Sequence, residues 1–134
     1  MRVVLDTNVL FAAFVTHGVC AGLYEDCLLQ AEIVVSDFIL NELADRLVTK
    51  GKFTQAEAQE VVQAVRKDAH QVSPVALAHR VCRDADDDWV LATAITAQAD
   101  AIVTGDKDLL VLKSYEGIPI VTPRGFLALM QGNQ

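Results

Sequence analysis

The stretch Val3-Val4-Leu5-Asp6-Thr7-Asn8-Val9-Leu10 carries the reading of this chain. Its opening apolar run, rich in β-branched residues, reads as a strand buried on both faces. Asp6 interrupts the run, Thr7 and Asn8 follow, and apolar character resumes at Val9. In an open parallel sheet the ligand crevice lies beyond the carboxyl ends of the strands. Asp6 belongs at that mouth, with Thr7 or Asn8 able to cap the next helix. Capping alone would also account for an acid here, because helix N-termini favour anions. The choice between the two readings depends on what lies downstream.

Working outward, the chain alternates helix and strand. Asn8 to about Val15 reads as a first helix, with a turn at His17-Gly18. A second helix runs from about Ala21 to Ala31, with Leu23, Cys27 and Leu28 on one face. Ile33-Val34-Val35 is a short buried strand ended by Ser36. Ser36-Asp37 then starts a helix carrying Leu40, Leu43 and Leu47, and Lys50-Gly51 stops it. Thr54 with Glu57 forms a capping box for a fourth helix reaching about Ala69. Gln71-Val72-Ser73-Pro74 is a short extended edge piece. A long fifth helix starts at Asp86 or Asp87 and ends at Ala99. Ala101-Ile102-Val103-Thr104 is a strand, and Asp106 to Leu112 a short helix. Pro119 places the strand Ile118-Pro119-Ile120-Val121 at a sheet edge, and Pro123 opens the last helix. This alternation predicts a parallel sheet covered by helices on both faces, in one domain spanning 1–134.

With 134 residues, 52% of them apolar, the chain can build a substantial core. No apolar run reaches the ~18 residues of a membrane helix, and no signal-peptide pattern opens the chain, so a cytoplasmic protein is expected. Cys20, Cys27 and Cys82 form no CxxC pair and read as packed thiols rather than a zinc or disulfide set. His17, His70 and His79 have no metal-ligand spacing and read as surface or packing residues. A net charge of −7 disfavours a broad nucleic-acid-binding surface. It is compatible with a nuclease whose acids hold metal, since two divalent ions would take −7 to −3.

Glu42 lies within the third helix, beyond the second strand. Asp84, Asp86, Asp87 and Asp88 crowd the start of the fifth helix, and Asp106 and Asp108 follow the strand ending at Thr104. Helix capping explains many of these singly. Taken jointly the explanation weakens, since Glu42 is at no cap position and Asp6 interrupts an apolar run. Acids near positions 6, 42, 87 and 106 would converge at the crevice. Their mutual repulsion raises their pKa values, and a hard divalent cation such as Mg²⁺ or Mn²⁺ relieves it.

Asp6-Thr7-Asn8-Val9-Leu10, Ser36 with Glu42, Asp84-Ala85-Asp86-Asp87-Asp88 and Thr104-Gly105-Asp106-Lys107-Asp108-Leu109-Leu110 resemble the motifs of PIN-domain proteins. The resemblance is closest to the VapC-like ribonucleases, toxins of bacterial type II toxin–antitoxin pairs, and covers essentially the whole chain. It implies a three-layer α/β/α sandwich with a mostly parallel sheet of about five strands. It further implies Mg²⁺- or Mn²⁺-dependent endoribonuclease activity on RNA, in a homodimer restrained by an antitoxin. Carried over residue by residue, the family's metal-holding and catalytic acids fall on Asp6, Glu42, Asp88 and Asp106. Asp88 is preferred because the family's acid directly precedes a small-residue helix, here Trp89-Val90-Leu91-Ala92-Thr93-Ala94. Asp87 is its competitor and Asp84 a supporting acid, while Asn8 and Thr104 correspond to polar residues that steady the first and last acids. One ion and two are both open.

In that scheme Asp6 and Asp88 hold an ion directly, and Glu42 and Asp106 complete the site or orient its water. No serine, cysteine or histidine has the partners for covalent catalysis. Lys50, Lys52, Arg80, Arg83 and Lys107 are the candidates for contacts to the RNA backbone. The last helix, with Phe126, Leu127 and Met130, and the fourth helix offer apolar faces for a dimer. A phosphate-receiving signalling domain would need a phospho-accepting Asp near residues 50–60, where the chain reads Lys50-Gly51-Lys52-Phe53-Thr54. The remaining alternative is a PIN-fold interaction or RNA-binding protein without turnover.

Overall fold

The computed structural model describes residues 1–132, so the last two positions of the expected 1–134 span lie outside it. Six strands, one more than expected, form a sheet: β1 (Arg2–Leu5), β2 (Glu32–Val35), β3 (His70–Gln71), β4 (Ala101–Val103), β5 (Ser114–Tyr115) and β6 (Ile118–Val121). Their order is β3-β2-β1-β4-β6-β5. All neighbours pair in parallel except the β5–β6 hairpin. β1 therefore sits between β2 and β4, its Val3, Val4 and Leu5 fully buried, as a strand covered on both faces must be.

Among the described residues, seven helices flank the sheet: α1 (Thr7–Val15), α2 (Val19–Gln30), α3 (Asp37–Thr49), α4 (Gln55–Asp68), α5 (Ala85–Ala97), α6 (Lys107–Leu110) and α7 (Pro123–Gly132). The α1 helix packs on α2 and α3, α3 on α4, and α7 on α2, whereas α5 lies against β1 and β2. Small buried residues on α5, Ala92, Thr93, Ala94 and Ala97, let it approach those strands closely. On α3, Ile39, Leu40, Leu43 and Leu47 are completely buried, which fixes the rotation of that helix. It ends where expected. A Cβ on Gly51 would lie 2.8 Å from the Leu47 carbonyl oxygen, so only glycine lets the chain turn there without a shift.

Two sequence expectations need correction. Pro119 does not put β6 at the edge, because the two-residue β5 pairs outside it, Ser114 opposite Pro119. The Ile120 amide donates to the Lys113 carbonyl on that side, at 2.9 Å. Amides alternate along a strand, so the missing N–H of Pro119 faces β4, and pairing with β4 starts one residue later at Ile120. Two of the apolar residues that the last helix offered to a dimer, Phe126 and Met130, are also not free for a partner. Phe126 is completely buried and Met130 nearly so, both within the core of this chain.

The chain leaves β1 for β2 on one side and returns to β4 on the other, so the topological switch lies between β1 and β4. Their register sets Leu5 beside Val103. Asp6 and Thr104 therefore emerge side by side at the carboxyl edge, where such folds form their crevice. No single helix among the described residues is long and apolar enough to cross a membrane.

The capping box at Thr54 is intact: its hydroxyl accepts from the Glu57 amide at 3.1 Å, and the Glu57 carboxylate accepts from the Thr54 amide at 2.9 Å. Thr54→Ala should lower stability by about 1 kcal/mol, seen as a loss of roughly 4 °C in Tm without change of the far-ultraviolet circular dichroism spectrum.

Candidate metal centre

Asp6 caps α1 and also stands in the crevice. One oxygen, Oδ1, accepts from the Val9 amide at 3.0 Å and caps α1. The other, Oδ2, accepts a hydrogen bond from the Thr104 hydroxyl. Thr104 Oγ1 in turn accepts from the Asp106 amide at 2.9 Å, so one hydroxyl ties the loop after β4 to the acid after β1. Asp6 is only 4% exposed. Burial pushes its carboxyl above the ordinary range, against the hydrogen bonds from Thr104 and Val9, and the nearby Asp106 adds to the rise.

Around Asp6 the recess is lined by Thr7, Asn8, Glu42, Arg46, Asp84, Asp86, Asp87, Val90 and Asp106. It holds about 60 Å³, room for an ion with a few waters. Glu42 sits one turn into α3, on the flank left by the buried leucines. Its Oε1 accepts the Thr7 hydroxyl at 2.9 Å, and burial raises its pKa despite that bond. Thr7, rather than Asn8, thus steadies an acid of the recess. Asn8 instead offers its Oδ1 to the Arg46 guanidinium.

The acidic run at α5 divides by helix phase. Asp84 is the N-cap, accepting from the Asp86 amide at 2.9 Å. Asp87 faces Asp106 and Asp108, and one carboxylate oxygen from each lies within 4.8 Å of the others. Asp88 does not join them. Its oxygens accept from the Val81 and Cys82 amides at 3.0 and 2.7 Å, clamping the loop between β3 and α5. Those amides outweigh desolvation and hold its pKa below the usual value. Asp88 lines a separate groove with Leu77 and Trp89. The expectation that Asp88 faces the other acids is therefore corrected in favour of Asp87. Successive helix residues project about 100° apart, and the step from Asp87 to Asp88 carries the side chain out of the recess and onto the Val81 and Cys82 amides.

Asp87 is where the charge conflict concentrates. Burial first, then the charges of Asp106 and Asp84, push its pKa to about 7. Its Oδ2 is buried with no hydrogen-bond partner among the described residues. The neighbouring Asp106 can offer no donor while both groups are ionised, so either a proton or a cation must mediate between them. An all-oxygen donor set with an orphaned carboxylate oxygen fits a hard divalent cation such as Mg²⁺ or Mn²⁺.

Sequence reasoning assigned no role to Asp86, Asp108 or Arg46. The signal for Arg46 was present, four residues after Glu42 and so on the same helix face. Among the backbone-contact candidates, Arg80 is engaged internally, donating to the carbonyls of Cys82 and Arg83. All three histidines are exposed, and all three cysteines are free thiols, with Cys27 and Cys82 buried.

The chain belongs to the PIN domain family, whose pattern it matches over residues 2–108. Solved structures share its fold at low identity. VapBC2 from Rickettsia felis, bound to a DNA fragment from its promoter, superposes with a TM-score of 0.65 at 16% identity, covering 91% of this chain and 98% of that one. VapBC-1 from nontypeable Haemophilus influenzae gives 0.65 at 13%, covering 92% and 99%. FitAcB from Neisseria gonorrhoeae gives 0.57 at 14%, covering 91% and 98%. No curated protein matches the chain by sequence.

A carboxyl whose pKa is higher folded than unfolded binds its proton more tightly in the fold. Ionising it therefore costs stability. For Asp87 that loss begins near 3.8 and is complete above about 7. In EDTA the Tm should fall as pH rises through this window, and Asp87→Asn should flatten the slope. An equal slope in wild type and variant would show that Asp87 is not the strained group.

Proposed function

We propose that this chain is a Mg²⁺- or Mn²⁺-dependent endoribonuclease, the toxin of a toxin–antitoxin pair, working in the cytoplasm as a homodimer. The observation that carries this is the convergence of Asp6, Glu42, Asp87 and Asp106 on one recess, with Asp87 Oδ2 buried and unpartnered. Membership of a family whose members are generally nucleases supports the reaction class. The VapBC composition of structures sharing the fold supports an antitoxin partner.

Asp6, Asp87 and Asp106 would hold the ion, with Asp108 adjoining and Asp84 adding negative potential at the helix start. The chemistry such an ion would supply there is a lowered pKa for a bound water and an offset to charge on the departing oxygen of a phosphodiester. Thr104 and the Val9 amide keep Asp6 in a single orientation, so little reorganisation accompanies binding. Thr7 fixes Oε1 of Glu42 and leaves Oε2 to orient the attacking water. The raised pKa of Glu42 suits it to accept that water's proton. Asp88 acts indirectly, by holding the loop from which Asp84 and Asp87 project.

Cleavage of single-stranded RNA should require Mn²⁺ or Mg²⁺ and stop in EDTA. Asp6→Ala, Glu42→Ala, Asp87→Ala and Asp106→Ala should each lose about 100-fold or more in rate, because misplacing the water or its ion loses that much. Asp88→Ala should instead lower Tm and retain more activity than Asp87→Ala. A wild-type protein that Mn²⁺ stabilises but that cuts no RNA would favour the alternative, a binding protein without turnover.

For the dimer, the exposed leucines are Leu28 and Leu29 on α2, 44% and 84% exposed, and Leu129 on α7, at 46%. These two helices pack together, which supports an apolar face across them. Light scattering should show a dimer for wild type and a monomer for Leu29→Lys. A wild-type monomer at micromolar concentration would remove the homodimer from this reading.

A further inference from the structure

Arg46 is the one cation among the residues lining the recess, facing six acids: Asp6, Glu42, Asp84, Asp86, Asp87 and Asp106. Its position is built. It stands four residues after Glu42 on α3, half-buried, and Asn8 at the start of α1 accepts from one of its guanidinium nitrogens. Yet the acids around it do not neutralise it directly. None of the ion pairs among the described residues involves Arg46, although Arg2, Arg66 and His70 all form one. Its charge is felt at a distance, lowering the pKa values of Asp6 and Glu42 against the larger effect of burial.

A guanidinium has five N–H donors in a planar fork, and Asn8 takes one nitrogen of it. The remaining donors have no side-chain acceptor among the described residues. A purely structural arginine beside so many carboxylates would be expected to close on one of them. Held short of them by Asn8, this one presents unspent donors at the rim of a site that otherwise repels anions. Such a bidentate, cationic fork matches an oxyanion, and with the recess carboxylates not engaged by it, the phosphate of a bound polyanion is the oxyanion the nuclease reading supplies.

We infer that Arg46 is a substrate-binding residue which takes the non-bridging oxygens of an RNA phosphate at the mouth of the recess, with Asn8 positioning its guanidinium. The inference rests on the nuclease reading, and its physical logic is division of labour. Carboxylates that gather divalent cations drive a polyanion away, and a fixed cation beside them restores local attraction. Lys50, Lys52 and Lys107 then serve as outlying contacts rather than as the anchor.

The test separates binding from turnover. A fluorescently labelled single-stranded RNA is titrated with protein in Ca²⁺, which oxygen ligands also accept, and anisotropy is followed from low to high salt. Arg46→Ala should weaken binding about tenfold or more, the effect of one charge-assisted contact. The slope of log affinity against log salt should become shallower by about 0.7, the value for one phosphate contact on a single strand. Arg46→Lys should recover the slope but only part of the affinity, since the charge returns without the fork. Arg2→Gln removes the same charge at the start of β1, the opposite end of that strand from Asp6, and should leave the slope unchanged. Stabilisation by Mn²⁺ should persist in Arg46→Ala, because a cation has been removed from beside the metal.

Wild-type affinity and slope in Arg46→Ala would overturn the inference. So would an equal slope change in Arg2→Gln, or loss of the Mn²⁺ response in Arg46→Ala, which would mark Arg46 as structural. Wild-type protein that binds RNA but does not cut it in Mn²⁺ would end the nuclease reading while these comparisons still judge Arg46. Wild-type protein that binds no RNA would overturn both.

Discussion

The parallel pairing of β1 with β4 is the constraint on which everything else rests. It sets Leu5 beside Val103 and carries the sheet on through the Asp6 amide, which donates to the Val103 carbonyl at 3.1 Å. Asp6 is thereby fixed at the sheet's carboxyl edge, within reach of the Thr104 hydroxyl. That hydroxyl is a small connector with large consequences. By donating to Asp6 and accepting from the Asp106 amide, it sets the separation of two acids one hundred residues apart in sequence. Removing the methyl-buried, hydroxyl-bearing Thr104 would leave a buried carboxylate oxygen without its donor, a loss of about 1–3 kcal/mol by general experience.

A second theme is reuse of helix caps. Asp6, Asp84 and Asp106 each cap the helix that follows them, through the amides of Val9, Asp86 and Asp108. Capping and ligand binding are compatible, because each carboxylate oxygen has more than one lone-pair direction. The amides hold the side chains before any ligand arrives, and helix N-termini lend positive potential to a crowd of anions. What the caps cannot relieve is the repulsion between Asp87 and Asp106. The fold therefore gathers an unfavourable charge arrangement in the recess, the condition from which a bound cation would gain most.

The acid run before α5 shows how scaffold and site are divided between adjacent residues. Asp87 turns toward the recess with an unpartnered oxygen, while Asp88 turns outward and spends both oxygens on the amides of Val81 and Cys82. One acid is strained and the next is satisfied. The satisfied one holds the loop that makes the strain of its neighbour reproducible.

Much of this was legible in the residues themselves. Apolar β-branched runs marked β1, β2 and β4, the Thr54–Glu57 box marked the start of α4, Asp6 stood out by interrupting an apolar run, Glu42 by standing at no cap, and Asp106 by following a strand. Local chemistry determines such features, and local chemistry is what a sequence displays. Three things were decided only by the tertiary structure. Burial of Val90, Leu91 and Ala94 against the sheet set the rotation of α5, and with it the choice of Asp87 over Asp88. The two-residue β5, too short to announce itself, turned the proline-bearing β6 into an interior strand. Docking of α7 on α2 consumed Phe126 and Met130, whose apolar face the sequence had offered to a dimer. In each case the deciding quantity is which surface meets which. Helix period and composition state how much surface must be buried, and only the packed chain states against what.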